Sequence, residues 1–162
     1  MTRPYSPKRS LPQTVLAATT ALLGLLLIAG VASAWNFTMP AQEVRPVNGA
    51  FAFPASAFAD GKARHFEYNH GPNQRVRFFV VKSTDGIIRA ALDACDVCWR
   101  QKKGYVQQGD YMVCINCGMK FRTDKVNEVR GGCNPHPLKR TMKDGNVIIA
   151  QQDVASGLGY FQ

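Results

Sequence analysis

Charged residues are absent from a long stretch near the N-terminus, and cysteines are absent from most of the chain. No charged residue occurs between Arg9 and Glu43, and none of the five cysteines lies outside the segment 95–133. The 162-residue chain also has no Ser/His/Asp set, no phosphate-binding loop and no paired-carboxylate spacing. These absences leave hydrolytic catalysis without support and favour a non-catalytic redox or metal-binding protein.

The charge of the chain is strongly basic, but its distribution does not indicate nucleic-acid binding. Twenty Lys and Arg residues against eleven Asp and Glu give a net charge of +9, of which Arg3, Lys8 and Arg9 supply three. No basic stripe interleaved with aromatic residues is present, so we expect no nucleic-acid partner. On an exported domain, the remaining charge favours anionic lipid headgroups or an acidic partner.

The uncharged stretch predicts a membrane segment. Val15–Ala34 is a run of 20 uncharged, mostly apolar residues, which is about the length needed to cross a bilayer. The basic tail before it predicts an N-terminus in the cytoplasm. Ala32-Ser33-Ala34 resembles a signal-peptide cleavage site, so cleavage after residue 34 is the alternative to a retained anchor. Both interpretations place residues 35–162 outside the cytoplasm.

The remaining sequence predicts a linker followed by a small domain built mainly from strands. Residues 35–62 are rich in Pro, Ala, Phe and Gly, with one helical turn expected within 55–61. Residues 63–162 form the Cys-rich domain, with strands expected at 63–70, 76–83, 87–95, 126–129 and 146–150, a hairpin at 104–113, and a short helix after 150. We therefore expect an α+β, mostly β fold: a sheet and hairpin domain with zinc-ribbon-like knuckles behind one N-terminal transmembrane helix.

Three two-residue motifs recur at one fixed interval within this domain. They are Cys95-x-x-Cys98, Cys114-x-x-Cys117 and Cys133-x-x-His136, and each begins 19 residues after the previous one. The first four cysteines match the spacing of a tetrahedral thiolate site. Gly118 and the pair Gly131-Gly132 place flexible backbone beside the thiols. The sequence therefore predicts that all five cysteines bind a metal or cluster, with His136 as a further candidate ligand.

Several metal centres suit this ligand set, and two other interpretations compete with metal binding. Thiolates select zinc, a single iron, an iron–sulfur cluster or Cu(I) over magnesium and calcium. In an oxidising compartment the cysteines could instead form structural disulfides, although five is an odd number. The Cys-x-x-Cys pairs could also serve a thiol–disulfide oxidoreductase, although no thioredoxin-like βαβ pattern surrounds them.

The residues around the motifs allow further expectations. We expect Met112 and Met119 to fill the core, because methionine usually packs. We expect Trp99 to shield the site from water. Asp93 and Asp96 add negative charge beside the thiolates, so each needs a basic partner, such as Arg100 or Lys102.

The cysteine-rich segment resembles the FtrD-like family of membrane iron–sulfur proteins. The resemblance covers about residues 63–161 and rests on DACDVCWRQKKGYVQQGDYMVCINCGMKF, the later GGCNPHPL and the closing DGNVIIA. It implies a bacterial protein of the inner membrane, with a single span, a periplasmic domain and an iron–sulfur cluster held by the five cysteines. It further implies a role in iron handling or electron transfer beside an iron permease or a redox partner. Zinc, copper or iron ions remain the alternatives, as a structural zinc module or a soft-metal carrier.

Overall fold

A computed structural model describes residues 40–162, and this part of the chain is mostly β, as predicted. Its strands are β1 (Gln42–Val44), β2 (Ala50–Pro54), β3 (Arg64–Gly71), β4 (Gln74–Lys82), β5 (Ile88–Leu92), β6 (Tyr105–Gln108), β7 (Tyr111–Cys114), β8 (Lys120–Arg122), β9 (Thr141–Lys143) and β10 (Asn146–Ala150). One short α-helix, α1 (Gln151–Ala155), follows β10, and short 3-10 turns occupy Ala55–Phe58, Trp99–Gln101, Thr123–Lys125 and Leu158–Tyr160.

The strands form three sheets. The largest has the order β1-β3-β4-β5, with β1 parallel to β3 and the other pairs antiparallel. A second sheet, β2-β10-β9, and a third, β6-β7-β8, are antiparallel throughout. The third sheet carries the second cysteine motif, and the first sheet leads into the first motif at the end of β5.

Strand β4 separates two hydrophobic cores, because its alternate side chains point to opposite faces of the sheet. Phe78 and Val80 belong to an apolar core that is completed by β2, β10 and α1. Phe79 and Val81 belong to a second core that contains Cys95 and Cys114, together with the buried ring of Tyr105. The continuous apolar run in the sequence of β4 therefore reflects burial on both faces.

The predicted hairpin at residues 76–95 is present as β4 and β5, joined by a polar turn. Asp85 lies in this turn and accepts hydrogen bonds from the Ile87 N–H at 3.0 Å and from the buried Arg89 at 2.8 Å. The Ser83 hydroxyl also donates to Asp85 at 2.6 Å. These bonds hold the pKa of Asp85 well below its usual value, with the Arg89 hydrogen bond as the largest cause. The turn thus stabilises the register of the hairpin.

The described part of the expected linker, residues 40–62, is built into the fold. β1 pairs with β3, and β2 pairs with β10, while Phe51 and Phe58 are buried in the apolar core. The 3-10 turn at Ala55–Phe58 lies within the predicted helical turn. Proline and alanine obscured these short strands, since their stability comes from pairing with distant strands rather than from local propensity.

Two other expectations have different outcomes. The strand predicted at 126–129 is wrong: Val126 follows the 3-10 turn Thr123–Lys125 and is buried in the second core through tertiary packing. The predicted membrane segment, Val15–Ala34, lies outside the described residues. Within residues 40–162, no helix has the length and apolarity to cross a membrane.

Candidate metal centre

The first cysteine motif follows directly from β5. The strand ends at Leu92, whose N–H donates to the carbonyl of His136 at 2.8 Å. The chain then reaches Cys95 and turns back, and the Cys98 N–H donates to the Cys95 sulfur at 3.2 Å. A backbone N–H directed at a ligand sulfur is typical of a metal-binding knuckle.

The second motif is the turn between β7 and β8. Cys114 is the last residue of β7 and pairs with Tyr105 of β6. The Cys114 carbonyl accepts the Gly118 N–H at 2.8 Å, and the Cys114 N–H donates to the Met119 carbonyl at 2.9 Å. Gly118 adopts a positive φ of 73°, which closes this turn at little steric cost. The turn therefore carries the buried thiol of Cys114 at its start and the exposed thiol of Cys117 near its end.

The third motif is held against the hairpin by a buried tyrosine. The Tyr105 hydroxyl donates to the Cys133 carbonyl at 2.6 Å. This bond brings the Cys133 sulfur to 4.0 Å from the Cys98 sulfur, although the two residues are 35 positions apart. The side-chain amide of Asn116 approaches the same Cys98 sulfur at 3.4 Å. All three motifs thus meet around Cys98.

The five sulfurs form two overlapping groups of three. The sulfurs of Cys95, Cys98 and Cys114 lie within 4.8 Å of one another, and so do those of Cys98, Cys117 and Cys133. We call these the inner and the outer triad. Cys95 and Cys114 are only 1% and 2% exposed, whereas Cys117 is exposed at the surface. The burial of the cysteines therefore decreases from the inner triad to the outer triad.

The environment changes the pKa of three of the thiols, Cys114, Cys117 and Cys133. Burial raises the pKa of Cys114 and of Cys133 to about 12. Burial also opposes ionisation of Cys117, but the Met119 N–H and the neighbouring thiols outweigh it, so the pKa of Cys117 lies below its usual value. A soft cation would offset the cost of ionising the buried thiols, because metal coordination deprotonates them outright.

A buried charged group lies behind the inner triad. Asp93 accepts the Tyr105 N–H at 2.7 Å, and its carboxylate lies 3.4 Å from the His65 ring and 3.6 Å from the Arg77 guanidinium. The expected basic partner is therefore present, but it comes from β3 and β4 rather than from Arg100 or Lys102. The sequences of those strands gave no signal for this contact, since it depends on the pairing of β3, β4 and β5.

His136 and Asp96 form a separate polar contact at the edge of the centre. The Tyr160 hydroxyl donates to Asp96 at 2.5 Å and lies 2.9 Å from Nδ1 of His136. His136 belongs to neither triad of the described residues. The structure therefore brings the five predicted cysteines together and gives His136 other partners, while its role as a ligand stays a prediction. Sequence reasoning missed Tyr105 and Tyr160, which position the third motif and the C-terminal segment.

The expectations for the surrounding apolar residues have different outcomes. Met112 is fully buried in the second core, as predicted, but Met119 is 54% exposed. Trp99 lines a small cavity together with Cys95, Cys98 and Phe161, which is consistent with a shielding role. Arg100 stacks over the Trp99 ring at 5.3 Å. The inner triad is thus covered by aromatic side chains, whereas Met119 borders the outer triad as an exposed apolar residue.

Neither curated proteins nor solved structures give a significant match to this chain. One family model matches residues 58–161, which is more than half of the chain and includes every cysteine. That family is described as a membrane iron–sulfur containing protein. The converging cysteines and this match agree, and the chain belongs to the family of membrane iron–sulfur containing FtrD-like proteins.

Proposed function

We propose that the five cysteines hold an iron–sulfur centre that transfers electrons during iron handling. The observation that carries this proposal is the meeting of five thiol sulfurs in two overlapping triads. Thiolates are the usual protein ligands of iron–sulfur centres, so the donor set fits this group. When bound, such a centre supplies one-electron redox chemistry, and the protein provides its insulation and its orientation.

The proposed setting is the periplasmic face of a bacterial inner membrane. Residues 15–34 would anchor the chain in the lipid, and the domain would act beside an iron permease or a redox partner. Family membership supports the membrane location. The length and the uncharged character of residues 15–34 support the single span.

The outer triad provides a route for electrons between the centre and a partner. Cys117 is exposed, and the adjacent side chains of Val97 and Met119 are 63% and 54% exposed. Exposed basic residues surround these turns, including Lys103 and Lys120. A small apolar patch with a charged rim is typical of transient electron-transfer contacts, and positive charge would steer an acidic partner.

Metal and sulfide analysis tests the proposed centre. The full chain, purified without oxygen in detergent, should contain iron and acid-labile sulfide and should show visible absorption that dithionite bleaches. A colourless protein with stoichiometric zinc would instead identify a structural zinc module. Metal-free protein with the first two motifs oxidised to internal disulfides would identify a thiol–disulfide oxidoreductase.

Electron-transfer kinetics test the route separately. With an anionic reductant such as Fe(II)–EDTA, the rate of reduction should fall as ionic strength rises. Lys120→Glu should slow the reaction about threefold or more at low salt, because it reverses a charge beside the outer triad. Lys143→Glu is the matched control, since Lys143 is also an exposed strand lysine but lies in the β2-β10-β9 sheet. Equal effects of both substitutions would contradict the proposed route.

A soft-metal carrier is the second candidate, and the exposure of Cys117 favours it. A surface thiolate allows an incoming ligand to attack the metal without unfolding of the domain. A carrier would release its metal to a competing chelator while the circular dichroism spectrum stays unchanged. An electron-transfer centre would instead keep its iron through repeated cycles of oxidation and reduction.

A further inference from the structure

We infer that the cysteines form a two-metal centre, with one metal position in each triad and Cys98 as the ligand that both positions share. This inference deepens the proposed metal-binding function and rests on it. Cys98 is the only residue common to the two triads of the described chain. The spacing of the first four cysteines matches one tetrahedral site, whereas the structure also groups Cys98 with Cys117 and Cys133.

The distances between the sulfurs favour two positions over one. In a tetrahedral site with metal–sulfur bonds of about 2.3 Å, two ligand sulfurs lie about 3.8 Å apart. The 4.0 Å separation of the Cys98 and Cys133 sulfurs is close to that value, so these two can bind one ion. Within residues 40–162, no four of the sulfurs all lie within 4.8 Å of one another. A single ion bound by four of these thiolates would therefore require the sulfurs to move closer together than they lie in the structure.

The charge of the site also favours two ions. Five thiolates at one place repel one another strongly where two of the five are almost fully buried. Two divalent ions neutralise all but one of these charges, whereas a single ion leaves three uncompensated. The nearby guanidinium of Arg77 already lies close to the Asp93 carboxylate. Bound metal therefore has to provide most of the neutralisation.

The two positions differ in their access to solvent. Cys95 and Cys114 enclose the inner position within the second core, whereas Cys117 holds the outer position at the surface. With three thiolates at each position, one further coordination place per metal is left for a non-protein ligand, and inorganic sulfide is one such ligand. We expect the outer metal to exchange faster than the inner one, because a competing chelator can reach it directly.

Cobalt(II) titration of the reduced, metal-free full chain tests the inference without depending on iron. Sulfur-to-cobalt charge-transfer absorption should rise until two equivalents are bound. The paramagnetic resonance signal should grow with the first equivalent and fall with the second, since a shared thiolate couples the two ions antiferromagnetically. A chelator should then remove the cobalt in two phases whose rates differ about tenfold or more.

Three variants locate the two positions. Cys117→Ser should bind one equivalent, with an undiminished resonance signal and only the slow phase of release. Cys98→Ser should abolish the coupling, whether one or two ions remain bound. Met142→Ser is the control, because Met142 is exposed on β9 in the β2-β10-β9 sheet and its substitution should leave both equivalents and the coupling intact. Circular dichroism of each variant separates loss of the site from loss of the fold.

Two results would overturn the inference. One is saturation of the unaltered chain at a single equivalent of cobalt. The other is the binding of two equivalents whose resonance signals simply add, which would show that no ligand is shared. Absence of iron and sulfide from the isolated protein would count against the proposed function instead, while the cobalt titration would still decide the number of positions.

Discussion

Substitution of Gly104 should destabilise the domain more than substitution of Gly109, another turn glycine. A Cβ atom at Gly104 would lie 2.5 Å from the carboxylate atoms of Asp93, well inside van der Waals contact. Asp93 has little freedom to move, because it is buried and hydrogen-bonded to the Tyr105 N–H. Gly104 also has a positive φ of 70°, which an alanine adopts only at a cost.

The expected cost of Gly104→Ala follows from these two effects. The left-handed conformation contributes about 1 kcal/mol to the free energy of unfolding, and the overlap with a packed group contributes about 1–3 kcal/mol more. Gly109→Ala is the matched control, because Gly109 has a φ of 57° and a Cβ atom at this position would meet nothing within 4 Å. It should cost only the conformational term of about 1 kcal/mol.

Urea denaturation of the reduced, metal-free chain measures both variants. The midpoint of Gly104→Ala should be clearly lower than that of Gly109→Ala. Gly104→Ala should also weaken cobalt binding, because the Gly104 carbonyl accepts the Ile115 N–H at 3.0 Å within the second motif. Equal midpoints for the two variants would refute the idea that close packing between Gly104 and Asp93 supports the metal centre.

Three further perturbations test other contacts. Asp85→Asn should lower the free energy of unfolding at neutral pH, and this difference from the unaltered chain should shrink as the pH falls below 3.8, since a lowered pKa adds stability only above the usual value. Acid titration followed by circular dichroism checks this, and a difference that stays constant contradicts it. Tyr105→Phe should cost about 1–3 kcal/mol, because the carbonyl of the third motif loses its donor. The Tyr105 hydroxyl also lies beside Cys95, so the substitution should speed cobalt release from the centre; slower or unchanged release would count against that role. Met112→Ala should lower the free energy of unfolding by about 2–5 kcal/mol, whereas Met119→Ala, at an exposed position, should change it by less than about 0.5 kcal/mol. Urea denaturation measures both, and similar losses would contradict the burial difference.

The sequence predicted the elements whose signal is local. β4 and β5 were expected because an apolar run, a turn with Asp85 and Gly86, and a second apolar run follow one another. The β6–β7 hairpin and β10 were expected for similar reasons. β1 and β2 were not expected, since each gains its hydrogen bonds and burial only from strands far away in sequence.

The candidate site was predictable in composition but not in arrangement. The 19-residue interval identified all five cysteines as one group. It could not indicate that Cys98 is common to two triads, because that depends on how the turn of Cys133 is held by Tyr105. It also could not place His65 and Arg77 beside Asp93, since strand pairing alone brings those side chains together.

The position of β4 between two cores has a consequence for the lifetime of the protein in the cell. Because β4 contributes to both cores, disorder around the thiols would expose Phe79 and Val81 and weaken the packing of the apolar core on its other face. Occupancy by metal should accordingly protect the whole domain from proteases, by a free energy that grows with the logarithm of metal concentration. Starvation for that metal would then lower the abundance of the protein together with its activity.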